Sequence, residues 1–358
     1  MTRIYNFNPG PATLPEEILK IAQAELLDYK NSGMSILEIS HRSELFSEIA
    51  SQSEKDLREL LNIPSSHKIF FLHGGARSQF AMVPMNLLGD KKTADYVDTG
   101  VWSQFAIEEA KKYCDVNVVI SSQDSSYKSI PDVDTWKLNR DAAYVHYTAN
   151  ETVDGVEFHF IPETSVPLVS DMSSTILSRP LDVSKFGLIY ACAQKNLGPA
   201  ELTIVIVRED LIGHALPYTP AMFDYKNHFE HNSLYNTSPI FSWYMFGLML
   251  QWVKKQGGVE EIAKRNQAKA NKLYQFIDES DFYANDVEIK YRSWMNVPFV
   301  LKQPELTERF VAEAESEGLF GLKGHPRLGG ARASIYNAMS EKGVAALINF
   351  MQKFKGSR

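Results

Sequence analysis

Cysteine is almost absent: only Cys114 and Cys192 occur in a chain of 358 residues. That is too few for a disulfide framework or a cysteine-based zinc site. Cys192, inside an apolar run, reads as a small core residue. Long Lys/Arg blocks are missing too. Against 44 acidic residues stand 37 basic ones, a net charge of −7, and the basic tail "QKFKGSR" is short. Sequence-independent nucleic-acid binding is therefore not expected. No apolar run approaches membrane-spanning length, and the opening "MTRIYNFNPGPATLP" lacks the apolar core of a signal peptide. The expectation is a cytoplasmic protein with no membrane partner. His228 and His231 in "HFEH" have no carboxylate/cysteine pattern around them, so no metal site is expected. Internal repeats and low-complexity segments are also lacking.

What is present is an ordinary globular composition, 44% hydrophobic and 23% charged, long enough for a large domain with a smaller one attached. "PEEILKIAQAELLDYKNSG" carries an early proline, early acids and a closing Gly33, which together punctuate a helix. A second helix is expected over 44–61. Short apolar runs read as strands at 68–72, 95–99, 116–121, 142–148, 167–170, 187–192 and 202–207, with helical stretches between some of them, such as 104–113. Such alternation indicates an α/β fold, a mostly parallel sheet flanked by helices. Beyond about residue 260 the pattern changes to a compact α+β unit: a long helix over 259–279, then strand, helix, strand and helix. The expected division is a large domain over 16–260 and a small one formed by 1–15 with 261–358.

"YACAQKNLGPAELTIVIV" places Lys195 between two apolar runs, with glutamine and asparagine as its neighbours. A lysine there either snorkels to water or is held in a pocket as a nucleophile. Ligands of open α/β sheets collect beyond the carboxyl ends of the strands, and several polar groups sit at such ends. Asp171 follows "PLVS", "HGGARSQF" follows "KIFFL", "TGVWSQF" follows "ADYVD", and "YTANET" follows "AAYVHY". Pyridoxal-phosphate catalysis needs this set. A lysine forms the Schiff base and an acid holds the pyridinium proton. The N–H groups of "GGARS" at a helix start can take a phosphate, and Trp102 can stack on a ring. Singly, each residue has a plainer reading: a tight turn, a capping aspartate, a core tryptophan.

The sequence resembles the phosphoserine aminotransferases, class V enzymes of the fold-type I pyridoxal-phosphate group. The likeness covers almost the whole chain through "NFNPGPATLP", "SILEISHRS", "HGGARSQFAMVPMNLLGD", "HYTANETVDGVEF", "DMSSTILSRPLDVSKFGLIYACAQKNLGPAELTIVIVRED", "LYNTSP" and "GGARASIYNAM". It implies Lys195 as the Schiff-base lysine and Asp171 as partner of the pyridine nitrogen, with Trp102 on the ring face and Thr152 at the ring hydroxyl. It implies Ala76, Arg77, Gln194, Asn236 and Thr237 around the cofactor phosphate, the last two reaching a neighbouring subunit's site in a homodimer. Arg42 and Arg332 would bind substrate carboxylate. His41, with His325 and Arg327 of "KGHPRLGG", would lie near the substrate phosphate.

The implied reaction is transamination of 3-phosphohydroxypyruvate with L-glutamate to O-phospho-L-serine and 2-oxoglutarate in serine biosynthesis. A parallel role with a phosphorylated hydroxythreonine in pyridoxine biosynthesis is common among bacterial members. The competing reading is another fold-type I aminotransferase, of alanine–glyoxylate or serine–pyruvate type. Two positions depart from the family pattern. Ala76 stands where glycine is usual, which is tolerable where φ is negative. Pro326 stands where an arginine is usual, moving the positive charge to Arg327 and stiffening the loop.

Overall fold

The computed structural model describes residues 3–356. Its centre is a sheet of seven strands: β1 (His67–Leu72), β2 (Thr93–Asp98), β3 (Asp115–Ser121), β4 (Val145–Thr148), β5 (Leu168–Asp171), β6 (Leu188–Cys192) and β7 (Thr203–Arg208). They lie in the order β1-β7-β6-β5-β4-β2-β3. All seven expected apolar runs are strands, with ends displaced by up to a few residues. The sheet is parallel except at β7, which runs antiparallel to both β1 and β6. Chain length explains this. Residues 193–202 alone join β6 to β7, and a parallel return needs a crossover of a dozen residues or more. The chain must double back, and Lys195 sits in that short connection, where Ala193 N–H donates to Leu202 O at 2.9 Å.

Nine helices among the described residues surround the sheet and its appended unit: α1 (Glu16–Glu25), α2 (Glu44–Leu61), α3 (Gly75–Leu87), α4 (Val101–Ala110), α5 (Tyr225–Glu230), α6 (Ile240–Lys255), α7 (Gly258–Asp278), α8 (Thr307–Ser316) and α9 (Glu341–Gly356). The helix over 44–61 starts with Ser43 Oγ accepting Phe46 N–H, an N-cap that the sequence signals. The first helix is shorter than expected. It stops at Glu25; Asp28 is already extended (φ −147°, ψ 93°), Lys30 and Asn31 take positive φ, and Tyr29 turns inward, edge-on to Tyr244 at 5.9 Å. The apolar run "IFSWYMFGLMLQW" forms α6 and is mostly buried inside its own chain. Trp243 stacks on Phe71 at 4.1 Å and donates to Ser53 Oγ.

The C-terminal unit is an antiparallel sheet of β8 (Tyr283–Ala284), β9 (Asn296–Leu301) and β10 (Ala331–Ser334). Its separate core holds Phe282, Tyr283, Phe299, Phe310, Phe350 and Phe354. Phe7 joins that core, and Tyr5–Asn6 pair in parallel with Leu319–Phe320. Helix α7 serves both cores, with Val259 and Ile262 in the first and Ala270, Leu273 and Ile277 in the second. Asparagines stitch the seam. Asn196 Nδ2 donates to Ile176 O, and Asn196 Oδ1 accepts Asn337 N–H. Asn337 in turn donates to Leu177 O and accepts from Asn266.

Lys269 on α7, 3% exposed, donates to the carbonyls of Ile335, Tyr336 and Met339 at 2.8–2.9 Å. Lys269→Met keeps the volume and strands three buried acceptors. Urea denaturation should show unfolding free energy reduced by about 3 kcal/mol or more. A loss under ~1 kcal/mol would show that these bonds contribute nothing net.

Candidate active site

The strand ends converge. Asp171 is the last residue of β5; Lys195 follows β6; Asn150 and Thr152 follow β4; Trp102 follows β2; and Gly74–Arg77 follow β1. Together with Gln194 beside Lys195, and with Gly10, His325 and Arg332 from other segments, they line a cavity of about 340 Å³. Gly74 (φ +91°) and Gly75 (φ +66°) make the sharp turn that aims the first turn of α3 at this cavity. Ala76 is already in the helix with ordinary φ, so its methyl is accommodated and its N–H is one of the groups a helix start leaves free.

Lys195 does not snorkel. It is 8% exposed, and its Nζ donates to Thr152 Oγ1 at 2.6 Å while lying 5.6 Å from the Trp102 ring centroid. Asp171 is 5% exposed and its Oδ1 accepts Ser173 N–H at 2.9 Å. Burial raises its pKa, opposed chiefly by the Lys195 charge. A buried carboxylate held this way is a receptor for a cationic N–H. Arg332 is 6% exposed and one Nη reaches Thr152 O at 3.4 Å. Arg77 lies over Phe105 and Trp102, at 4.5 and 5.7 Å from their rings.

Four buried polar atoms of cavity residues have no hydrogen-bond partner: Trp102 Nε1, Thr148 Oγ1, Asn150 Oδ1 and Arg332 Nε. Native interiors rarely leave such groups unmatched. A helix start, a lysine, a buried aspartate, an indole and unpaired donors and acceptors fit a flat, phosphorylated, heteroaromatic aldehyde.

Other expected residues lie elsewhere. Asn236 and Thr237 stand beside His73, whose Nε2 is 3.0 Å from Thr237 O, and Thr237 is exposed. His41 and Arg42 lie in the turn ahead of α2, with Arg42 exposed. None of the four lines this chain's cavity. His325 does, but Arg327 does not: it donates to Gln104 Oε1 at 2.7 Å and lies over Tyr127. The 325–329 turn, closed by Gly329 N–H to His325 O, sends successive side chains different ways. Sequence reasoning missed Thr148, Asn150, Ser173 and Cys192 as lining residues. Their position at or just past the ends of β4, β5 and β6, two to four residues from the expected ones, was the available signal.

The chain belongs to the class-V aminotransferase family, whose model matches residues 4–347. Among its relatives are phosphoserine aminotransferases. It is 54% identical to the one from Hahella chejuensis, with 99% of this chain and 98% of that protein covered. A solved phosphoserine aminotransferase from Bacillus circulans subsp. alkalophilus is 48% identical, with 99% of each chain covered and a TM-score of 0.97. The PLP-bound phosphoserine aminotransferase of Trichomonas vaginalis is 39% identical, with 98% of this chain and 100% of that chain covered and a TM-score of 0.95. Among the described residues, no helix is long and apolar enough to cross a membrane.

Proposed function

We propose that this chain is a pyridoxal-5'-phosphate-dependent phosphoserine aminotransferase. It interconverts 3-phosphohydroxypyruvate and L-glutamate with O-phospho-L-serine and 2-oxoglutarate, in L-serine biosynthesis. The observation that carries this reading is the buried Lys195 facing Thr152 and Trp102 in one cavity with Asp171. The full-length likeness to phosphoserine aminotransferases supports the choice of substrate.

When bound, the pyridoxal ring supplies an electron sink for charge developing at the substrate Cα. Asp171, oriented by Ser173, would hold a proton on the ring nitrogen. Thr152 Oγ1 orients Lys195 Nζ, which would hold the cofactor covalently and, once freed, take up and return a proton. The N–H groups at the start of α3, with Gln194 and the Arg77 guanidinium, would hold phosphate. Arg332 offers a fork to the substrate carboxylate, its desolvated Nε awaiting an acceptor. Trp102 would cover the ring and keep water from it.

The enzyme works as a cytoplasmic homodimer with shared sites, divided into 16–260 and 1–15 with 261–358. Asn236 and Thr237 complete the partner's phosphate site, and His41 and Arg42 its substrate site, with His325 and Arg327 on the loop above. Support comes from Leu27, Met34 and Leu37, exposed on the segment leading to His41 and Arg42, a surface suited to a second copy. 4-Phosphohydroxythreonine formation in pyridoxine biosynthesis is a further role of the same site.

The test is a steady-state assay with glutamate against phosphorylated and unphosphorylated ketoacids. 3-Phosphohydroxypyruvate should exceed pyruvate and glyoxylate by a hundredfold or more in kcat/KM, since each charge-assisted phosphate contact is worth roughly ten- to a hundredfold. Equal rates with glyoxylate would favour the alanine–glyoxylate type instead.

A further inference from the structure

Helix α4 carries Trp102 in its first turn, yet its N-cap is Gly100, which has no side chain to satisfy the first amides. The carboxyl of Glu151 does so from 49 and 48 residues away in sequence. Its two oxygens accept the N–H groups of Trp102 and Ser103, each at 2.8 Å, and Asp154 Oδ2 accepts Val101 N–H at 3.1 Å. Glu151 is wholly buried, so these are desolvated contacts at a helix start; burial, and then the neighbouring Asp154, push its carboxyl well above the ordinary range, while the Ser103 and Trp102 amides oppose that rise. The fit around Gly100 is close. A Cβ there would lie 2.5 Å from Asp154 Oδ2 and 2.6 Å from Glu151 Cδ. Glu151 does not line the cavity, but its next neighbour Thr152 holds Lys195 Nζ. One dipeptide thus grips the backbone of the ring-covering tryptophan on one side and the reacting amine on the other.

We propose that Glu151 is a positioning residue for the reaction, fixing Trp102 and Thr152 relative to each other and so placing Lys195 Nζ under the indole. The inference rests on the reading of Lys195 and Trp102 as cofactor contacts. Glu151→Gln keeps the volume but turns an N–H towards one of the two amide donors. Amide exchange of the full-length protein, with and without pyridoxal phosphate, should speed up at least tenfold at Trp102 and Ser103 while α2 stays protected. kcat per cofactor-loaded site should fall about tenfold, with KM for glutamate changed less than threefold. Unaltered exchange at α4 would overturn the proposal. So would faster exchange with normal kcat, since the clamp would then be structural only. Should Glu151→Gln not fold, Glu151→Asp, which keeps the carboxyl but is shorter, is read the same way. The exchange arm without cofactor does not depend on the cofactor reading, which stands or falls separately on Lys195→Ala.

Discussion

Lys195→Ala should abolish transamination while leaving a folded protein. Nothing in the packing around β6 needs the ammonium. Ala191, Cys192, Ala193 and Leu197 are apolar and buried on their own account, and residues 193–202 are tied by backbone bonds. The losses are local. Thr152 Oγ1 forfeits its donor, and the charge that opposes the burial of Asp171 disappears, pushing that carboxyl's pKa further up. Chemically the loss is complete, because alanine can neither hold the aldehyde nor carry a proton. Circular dichroism should show a normal fold, and added cofactor should lack the visible absorbance of a covalently held aldehyde. More than a trace of turnover in pure mutant protein would remove Lys195 from the chemistry. Lys195→Arg should fail as well, since a guanidinium stays protonated.

Asp171→Asn is expected to cost kcat roughly 10³-fold or more, about 4 kcal/mol of transition-state stabilisation, with a much smaller loss of cofactor affinity. The substitution is nearly isosteric and can still accept Ser173 N–H, so the turn after β5 should persist. Missing is the negative charge that keeps a proton on the ring nitrogen, without which charge at Cα is not drawn into the ring. Single-turnover kinetics beside a cofactor titration separate the two quantities. A near-normal rate would mean that Asp171 serves only its turn.

The parts of this molecule legible in the sequence were those governed by local rules. Period and punctuation marked the seven strands and placed α2 at its observed limits, because a serine cap and a strongly amphipathic stretch act within a few residues. Strand ends pointed to Asp171, Lys195, Trp102 and Thr152, since strand chemistry fixes where a parallel sheet opens. Contacts between distant segments left no such mark. Glu151 reads as one acid among 44 until the fold brings it to the Trp102 amide. Lys269 looks like a solvent-facing helix residue until three carbonyls close on it. Arg327, read as a phosphate ligand of the loop, lies against Gln104 and Tyr127, a choice made by turn geometry rather than by residue type.

The asparagine seam bears on how the protein tolerates damage. Asn196, the residue after Lys195, is bonded to the 337 segment, and α7 belongs to both cores. A partial opening of the C-terminal unit would release Asn337 and loosen the lysine's anchorage before the central sheet felt any stress. Heat or a destabilising substitution far out in the aromatic core around Phe310 should therefore silence the enzyme ahead of its global melt. Inactivation would be reversible on cooling as long as the sheet stays intact.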